Sequence, residues 1–158
     1  MLAALVAGML FFWQRQQINY DQPVQQIIAV EDFDLQQVDG KLVYLDFWAS
    51  WCLPCRRSFP WMQAMVRQYH SRGLRVISVN LDQERSSMEQ FIDTYGANFP
   101  IVLNPSFSLF RHYGLTGLPS AIVFTRHNNK LVQDKIHRGF EDSQAEALEA
   151  EIAQLLQT

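Results

Sequence analysis

Two cysteines, Cys52 and Cys55, are the residues of this 158-residue chain whose type and spacing most clearly indicate chemistry. Two intervening residues place the second sulfur about one helical turn from the first, close enough to close a disulfide. A strand-like apolar run at 42–47 leads into the pair and a helix-like run follows it. We therefore expect Cys52 at the N-terminus of a helix, where unpaired N–H groups and the helix dipole stabilise a thiolate. The spacing predicts a reversible two-electron dithiol switch.

The elements that must hold this pair are indicated by the hydrophobic pattern. Strands are expected at 41–48, 74–81, 99–103, 120–125 and 130–137, and helices at 52–69, 83–95, 105–113 and 141–155. The strand at 41–48 is apolar on both faces, as a central strand is. Residues 24–38 fit a short strand and a helix equally well. Strands alternating with helices predict an α/β domain whose mixed central sheet carries helices on both faces.

Length, charge and composition limit the possible functions. The chain is long enough for one domain with a hydrophobic core, and its 48% hydrophobic content argues against disorder. A net charge of −3 with scattered basic residues gives no reason to expect a nucleic-acid partner. Two cysteines cannot form a disulfide scaffold, and the four histidines lack metal-like spacing, so no metal site is expected.

The segment 1–13 is the clearest targeting feature. As a helix it would span about 20 Å, which is short of the roughly 30 Å hydrocarbon core of a bilayer. It suits a secretory signal or part of an anchor, and no small-residue cleavage site follows it, which favours an uncleaved anchor. An apolar helix that docks on the domain is the alternative. We expect an apolar signal or anchor segment at 1–18, a tether at 19–30 and a domain at 31–158 that is membrane-tethered or secreted, in a compartment where disulfides persist.

Together these features resemble the thioredoxin superfamily, and more narrowly its TlpA/ResA-like, membrane-tethered bacterial members. The resemblance rests on the Trp-Cys-x-Pro-Cys core, on Asp46 six residues before the first cysteine, on Pro60 five residues after the second, and on Gly-Leu-Pro ending at Pro119. The segment 86–114 resembles the strand–helix insertion of the TlpA group. A thioredoxin fold is therefore implied, with three α/β/α layers, a mixed sheet and a TlpA-type insertion.

The resemblance also implies roles for the central residues. Cys52 is the attacking thiol with the lower pKa, and Cys55 resolves the mixed disulfide. Asp46 lies in an apolar strand, so it is expected to be buried with a raised pKa and to exchange a proton with Cys55 through water. Many TlpA-type reductases have an acid where this chain has Ser58. Its absence argues against a role in cytochrome c maturation but not against dithiol chemistry.

Substrate binding is expected around the mouth of the site. The bond before Pro119 is expected to be cis, which leaves the Leu118 backbone free to pair with an extended substrate. Trp51, Leu53 and Pro54 are assigned to substrate contact, with the first two forming an apolar rim.

Three side chains near the pair fit more than one role. Trp48 fits a rim position and a core position equally well. Arg56 and Arg57 could add positive potential, but solvated helix surface is the favoured interpretation.

The function predicted is a thiol–disulfide oxidoreductase that reduces protein disulfides in the bacterial periplasm or at the outer face of the inner membrane. Leu53 and Pro54 cannot stabilise a thiolate as a histidine would, so the dithiol should give up electrons readily. The Cys52–Cys55 disulfide is the redox group, with no cofactor, and the family implies a membrane thiol relay as electron donor. Disulfide oxidase or isomerase activity and a redox-inert peptide-binding module are the alternatives. A peroxidase is disfavoured, because no Thr and Arg cluster surrounds Cys52.

Overall fold

A computed structural model describes residues 26–157 of the chain. The predicted anchor at 1–18 and all but the end of the predicted tether lie outside the described residues. Within residues 26–157, every helix is too short or too polar to cross a bilayer.

One six-stranded mixed sheet forms the centre of the structure. Its strands are β1 (Ile27–Ala29), β2 (Leu42–Trp48), β3 (Leu74–Asn80), β4 (Ile101–Leu103), β5 (Ser120–His127) and β6 (Lys130–Arg138). They lie in the order β1-β4-β3-β2-β5-β6. The strand β2 pairs in parallel with β3 and antiparallel with β5, and all seven of its residues are buried. A strand enclosed on both faces must be apolar on both, which explains its sequence.

Helices cover both faces of this sheet. They are α1 (Cys55–Tyr69), α2 (Arg85–Tyr95), α3 (Ser108–His112) and α4 (Asp142–Leu155). One core joins even-numbered β2 side chains to α1, α2 and α4, and we call this side the cysteine face. The other core joins odd-numbered β2 side chains to α3 and the turns after β1, and we call it the back face. The predicted α/β architecture with a mixed sheet between helices is confirmed.

Two regions add to the sequence prediction. The segment that fitted strand and helix equally well contains β1, which pairs with β4, followed by two short 3-10 turns, Val30–Asp32 and Leu35–Gln37. Residues 27–29 thus belong to the sheet although they fall within the predicted tether. The segment 86–114 contains most of α2, β4 and α3. Its correspondence to the TlpA-type insertion stays a prediction.

Candidate active site

The two cysteines lie at the carboxyl end of β2, in the connection to α1. They form a disulfide with an S–S distance of 2.04 Å and a Cα–Cα distance of 5.4 Å. Cys55 is fully buried and Cys52 is 4% exposed. Both cysteines are therefore buried, and Cys52 is the less buried of the two.

The start of α1 differs from the prediction, which placed Cys52 in the helix. The helix begins at Cys55 because two tight turns come first: the Cys52 N–H donates to the Ala49 carbonyl at 3.0 Å, and the Cys55 N–H donates to the Cys52 carbonyl at 3.2 Å. Pro54, with φ of −63°, sits just before the helix, a position that suits its fixed φ and missing N–H.

These turns also change the expected set of free N–H groups. The N–H groups of Cys55 and of the three residues after it all donate to backbone carbonyls. Within residues 26–157, the N–H groups of Trp51 and Leu53, directly before and after Cys52, have no acceptor. The expected group of unpaired N–H donors at the start of the helix is therefore reduced to these two flanking groups, while the dipole of α1 remains.

Large apolar side chains stand around the disulfide as predicted. Trp51 is 64% exposed and Leu53 is 68% exposed, whereas Pro54 is half-buried. Trp48 is instead a core residue, because its ring packs against Phe59 with the centroids 4.5 Å apart. The exposed pair forms an apolar rim directly on either side of Cys52.

The loop before β5 lies beside the same end of the sheet. The peptide bond between Leu118 and Pro119 is cis, as predicted. The antiparallel register ends with Phe47 opposite Ser120, so the preceding proline stands next to the end of β2. Within residues 26–157, the backbone N–H and C=O of half-buried Leu118 have no hydrogen-bond partner. Two main-chain groups are thus available near the cysteines.

Asp46 is buried on the cysteine face, as its apolar strand predicted. It is 1% exposed, and its Oδ2 atom has no hydrogen-bond partner. Its neighbours in register are Ser78, whose hydroxyl donates to the Pro100 carbonyl instead, and Ala121. Burial therefore raises the pKa of Asp46 well above its ordinary value.

A second buried carboxylate, which the sequence analysis missed, fixes the connection before the cysteines. Asp82 follows β3 and accepts hydrogen bonds from the Ser50 N–H at 2.9 Å, from the Ser50 hydroxyl at 2.8 Å and from the Asn80 amide at 2.8 Å. Ser50 lies two residues before Cys52, so Asp82 ties this connection to the end of β3. The polar residues that end an otherwise apolar strand were the only sequence signal.

Ser58, which replaces the acid of many TlpA-type reductases, has a local structural contact. Its side chain is buried, and its hydroxyl donates to the carbonyl of Cys55 at 3.1 Å. The position three residues after Cys55 is therefore neutral and hydrogen-bonded. Across residues 26–157, no group of three or more His, Cys, Asp or Glu side chains is placed to hold a metal ion.

Comparisons with known proteins agree with this geometry. The AhpC/TSA family matches residues 14–133. The thiol-disulfide oxidoreductase ResA of Halalkalibacterium halodurans is 32% identical over 124 residues, which are 78% of this chain and 67% of that protein. A crystal structure of a putative thiol:disulfide interchange protein DsbE from Chlorobium tepidum is 41% identical, with a TM-score of 0.68 over 74% of this chain and 81% of that chain. The structure of StoA from Bacillus subtilis is 28% identical, with a TM-score of 0.59 over 77% of this chain and 90% of that chain.

Proposed function

The chain belongs to the AhpC/TSA family within the thioredoxin superfamily and is a thiol–disulfide oxidoreductase of the ResA and DsbE type, and from this we propose that it reduces protein disulfides outside the cytoplasm. The observation that carries the proposal is the Cys52–Cys55 disulfide at the end of a buried central strand, beneath an exposed apolar rim. Its first cysteine is the less buried of the two. That arrangement suits an attacking and a resolving thiol.

The proposed reaction moves two electrons in two exchange steps. In the reduced protein the Cys52 thiolate attacks one sulfur of a substrate disulfide, which forms a mixed disulfide and releases the other substrate sulfur as a thiolate. The Cys55 thiolate then attacks Cys52 Sγ, which releases the second substrate thiolate. The products are a reduced substrate and the Cys52–Cys55 disulfide that the structure contains.

Asp46 is proposed to hold the proton that Cys55 must lose before it attacks. By strand alternation its side chain points to the cysteine face, where α1 packs. The raised pKa makes this carboxyl a better proton acceptor near neutral pH than an exposed aspartate, because its ionised form is poorly solvated. We propose transfer between Cys55 and Asp46 through water.

Substrate binding is proposed to combine the rim and the proline loop. Trp51, Leu53 and Pro54 offer apolar contact around the attacked sulfur. The unpaired N–H and C=O groups of Leu118, held next to β2 by Pro119, can pair with an extended substrate segment as an added strand. Such main-chain pairing recognises an extended chain rather than a particular sequence.

The reducing direction is supported by what surrounds the pair. The side chains of Leu53 and Pro54 carry no charge or hydrogen-bond donor, so they cannot stabilise the thiolate. Because the reduced form gains no stability from them, the pair should give up its electrons readily. Sustained reduction needs an electron supply, for which we propose a membrane thiol relay. We further propose that residues 1–18 anchor the protein at the outer face of the membrane.

Equilibration with glutathione tests the direction. We expect a potential nearer to the roughly −270 mV of thioredoxin than to the roughly −120 mV of a strong oxidase. A pair that stays reduced in oxidising glutathione buffer would refute the reductase proposal and favour the oxidase.

Trapping experiments test the enzyme itself. A Cys55→Ala variant should accumulate a mixed disulfide with its substrates, because the resolving thiol is missing. The wild-type protein should turn over insulin disulfides in the presence of a chemical reductant. No turnover would favour a redox-inert peptide-binding module.

A further inference from the structure

We propose that a polar groove beside the disulfide binds an acidic side chain of the substrate protein, so that substrates with a carboxylate near the attacked cysteine are preferred. This inference rests on the proposed function and specifies the substrate class of the same site. The groove has a volume of about 330 Å³ and lies between the start of α1 and α2. Ser50 and Arg56 line it, two residues before Cys52 and one after Cys55. Two lining residues therefore belong to the short segment that contains both cysteines.

Arg56 gives the groove its charge. It is the one charged side chain among the described residues that line it, and it is exposed. Within residues 26–157 its guanidinium has no ion pair or hydrogen bond. An unpaired guanidinium offers two parallel N–H donors that match a carboxylate, and the positive end of the α1 dipole lies next to it.

The opposite wall supplies uncharged hydrogen-bonding groups. Ser87, Gln90 and Thr94 recur at three- and four-residue steps along one side of α2. The Thr94 hydroxyl already donates to the Gln90 carbonyl at 2.9 Å. The side chains of Ser87 and Gln90 have no partner within residues 26–157, so both can donate to a carboxylate held by Arg56.

Among residues 26–157, no acidic side chain forms an ion pair with Arg56. Glu89 pairs with Arg85 at 2.7 Å, and Asp93 lies one turn after Glu89 on that same side of α2, away from the lining residues. Asp82 is buried beneath Ser50 and holds three donors of its own. The groove therefore has a cation with no counter-ion from the described part of the chain, and such a cation is complementary to an acidic side chain of a substrate.

Disulfide-linked peptides that differ only at the residue beside the attacked cysteine test this. With glutamate, glutamine or lysine at that position, the reduced wild-type protein should react fastest with the glutamate peptide and slowest with the lysine peptide. We expect about a 1.5-fold to fivefold difference in the second-order rate constant between the glutamate and the glutamine peptide, as is typical of one exposed charge contact. The difference should shrink in 1 M salt, because salt screens exposed charges.

Charge reversal at neighbouring positions makes the test specific. Arg56→Glu should invert the order and make the lysine peptide the fastest. Arg57→Glu is the matched control, because Arg57 has the same charge and exposure but does not line the groove, so it should keep the wild-type order. Equal rates for the three peptides with the wild-type protein would overturn the inference while leaving the proposed function intact. The same would follow if Arg56→Glu and Arg57→Glu changed the order of the three rates in the same way. Failure to reduce any of the peptides would overturn the proposed function itself.

Discussion

The two faces of the central sheet differ in how their buried polar atoms are paired. Among residues 26–157, four buried side-chain atoms lack a hydrogen-bond partner: Asp46 Oδ2, Trp48 Nε1, Trp61 Nε1 and Asn98 Oδ1. All four lie on the cysteine face: the two β2 side chains point there, Trp61 belongs to α1, and the Asn98 amide donates to α1.

The back face behaves differently. Its β2 side chains, Val43, Leu45 and Phe47, are apolar and fully buried. Each unpaired buried polar group costs about 1–3 kcal/mol, whereas each buried aliphatic side chain contributes about 1.5–3 kcal/mol. Both faces therefore bury an apolar core, but the cysteine face also contains the unpaired polar atoms and so gives up part of its stability where the redox chemistry takes place.

The largest effect is expected on the back face. Leu45→Ala should lower the free energy of unfolding by about 2–5 kcal/mol, because it removes a fully buried side chain and leaves a cavity. Chemical denaturation of the oxidised protein measures this loss. The alkylation rate of Cys52 in the folded, reduced variant should stay at the wild-type value. A changed rate would show that packing on the back face and thiol reactivity on the cysteine face are not independent.

An effect of opposite sign is expected at Asp46. Asp46→Asn should raise the free energy of unfolding at neutral pH, because it removes a buried carboxylate that is costly to ionise. The folded pKa is raised, so ionisation disfavours the folded state only above the unfolded pKa of about 3.9. The gain should therefore vanish below about pH 4. The variant should also resolve mixed disulfides more slowly, which stopped-flow kinetics measures.

Asp82→Asn is the matched control for this change. Asp82 is also a buried carboxylate, but it accepts hydrogen bonds from both Ser50 groups and from Asn80. Removing one of its acceptor oxygens should therefore destabilise the protein. If both variants shifted stability in the same direction, the missing partner at Asp46 would not be the cause.

The smallest expected effect tests whether a buried polar group on the cysteine face lowers stability even when it is hydrogen-bonded. Ser58→Ala removes the 3.1 Å hydrogen bond to the Cys55 carbonyl and should lower the free energy of unfolding by about 1 kcal/mol. The same denaturation measures it, with Ser86→Ala, an exposed serine of α2, as the control. A stability gain from Ser58→Ala would mean that any polar group at this position is unfavourable, whether or not it has a partner.

The sequence predicted what depends on local patterns. The burial of Asp46 followed from its apolar neighbours, and the cis bond at Pro119 followed from a family motif. The start of α1 was placed three residues too early, because hydrophobic spacing does not register the two turns that end at Cys55.

Contacts between distant segments were not predictable in this way. Ser50 and Asp82 are 32 positions apart, and nothing in either neighbourhood indicates that they meet. The strand β1 has three residues, too few for a periodic pattern, and it exists because β4 pairs with it from more than 70 positions away. The groove beside Arg56 likewise needs α1 and α2 side by side.

The shortness of β1 has a mechanical consequence. Three residue pairs, from Ile27 with Ile101 to Ala29 with Leu103, and one further bond from the Ile101 N–H to the Gln26 carbonyl attach it to the edge of the sheet. A pulling force on the chain ahead of Gln26 would load these few bonds first and peel the strand away. The five remaining strands, with β2 in their middle, would still support the cysteines. The edge strand would thus detach first, before the tension reached the strands that hold the reactive sulfurs.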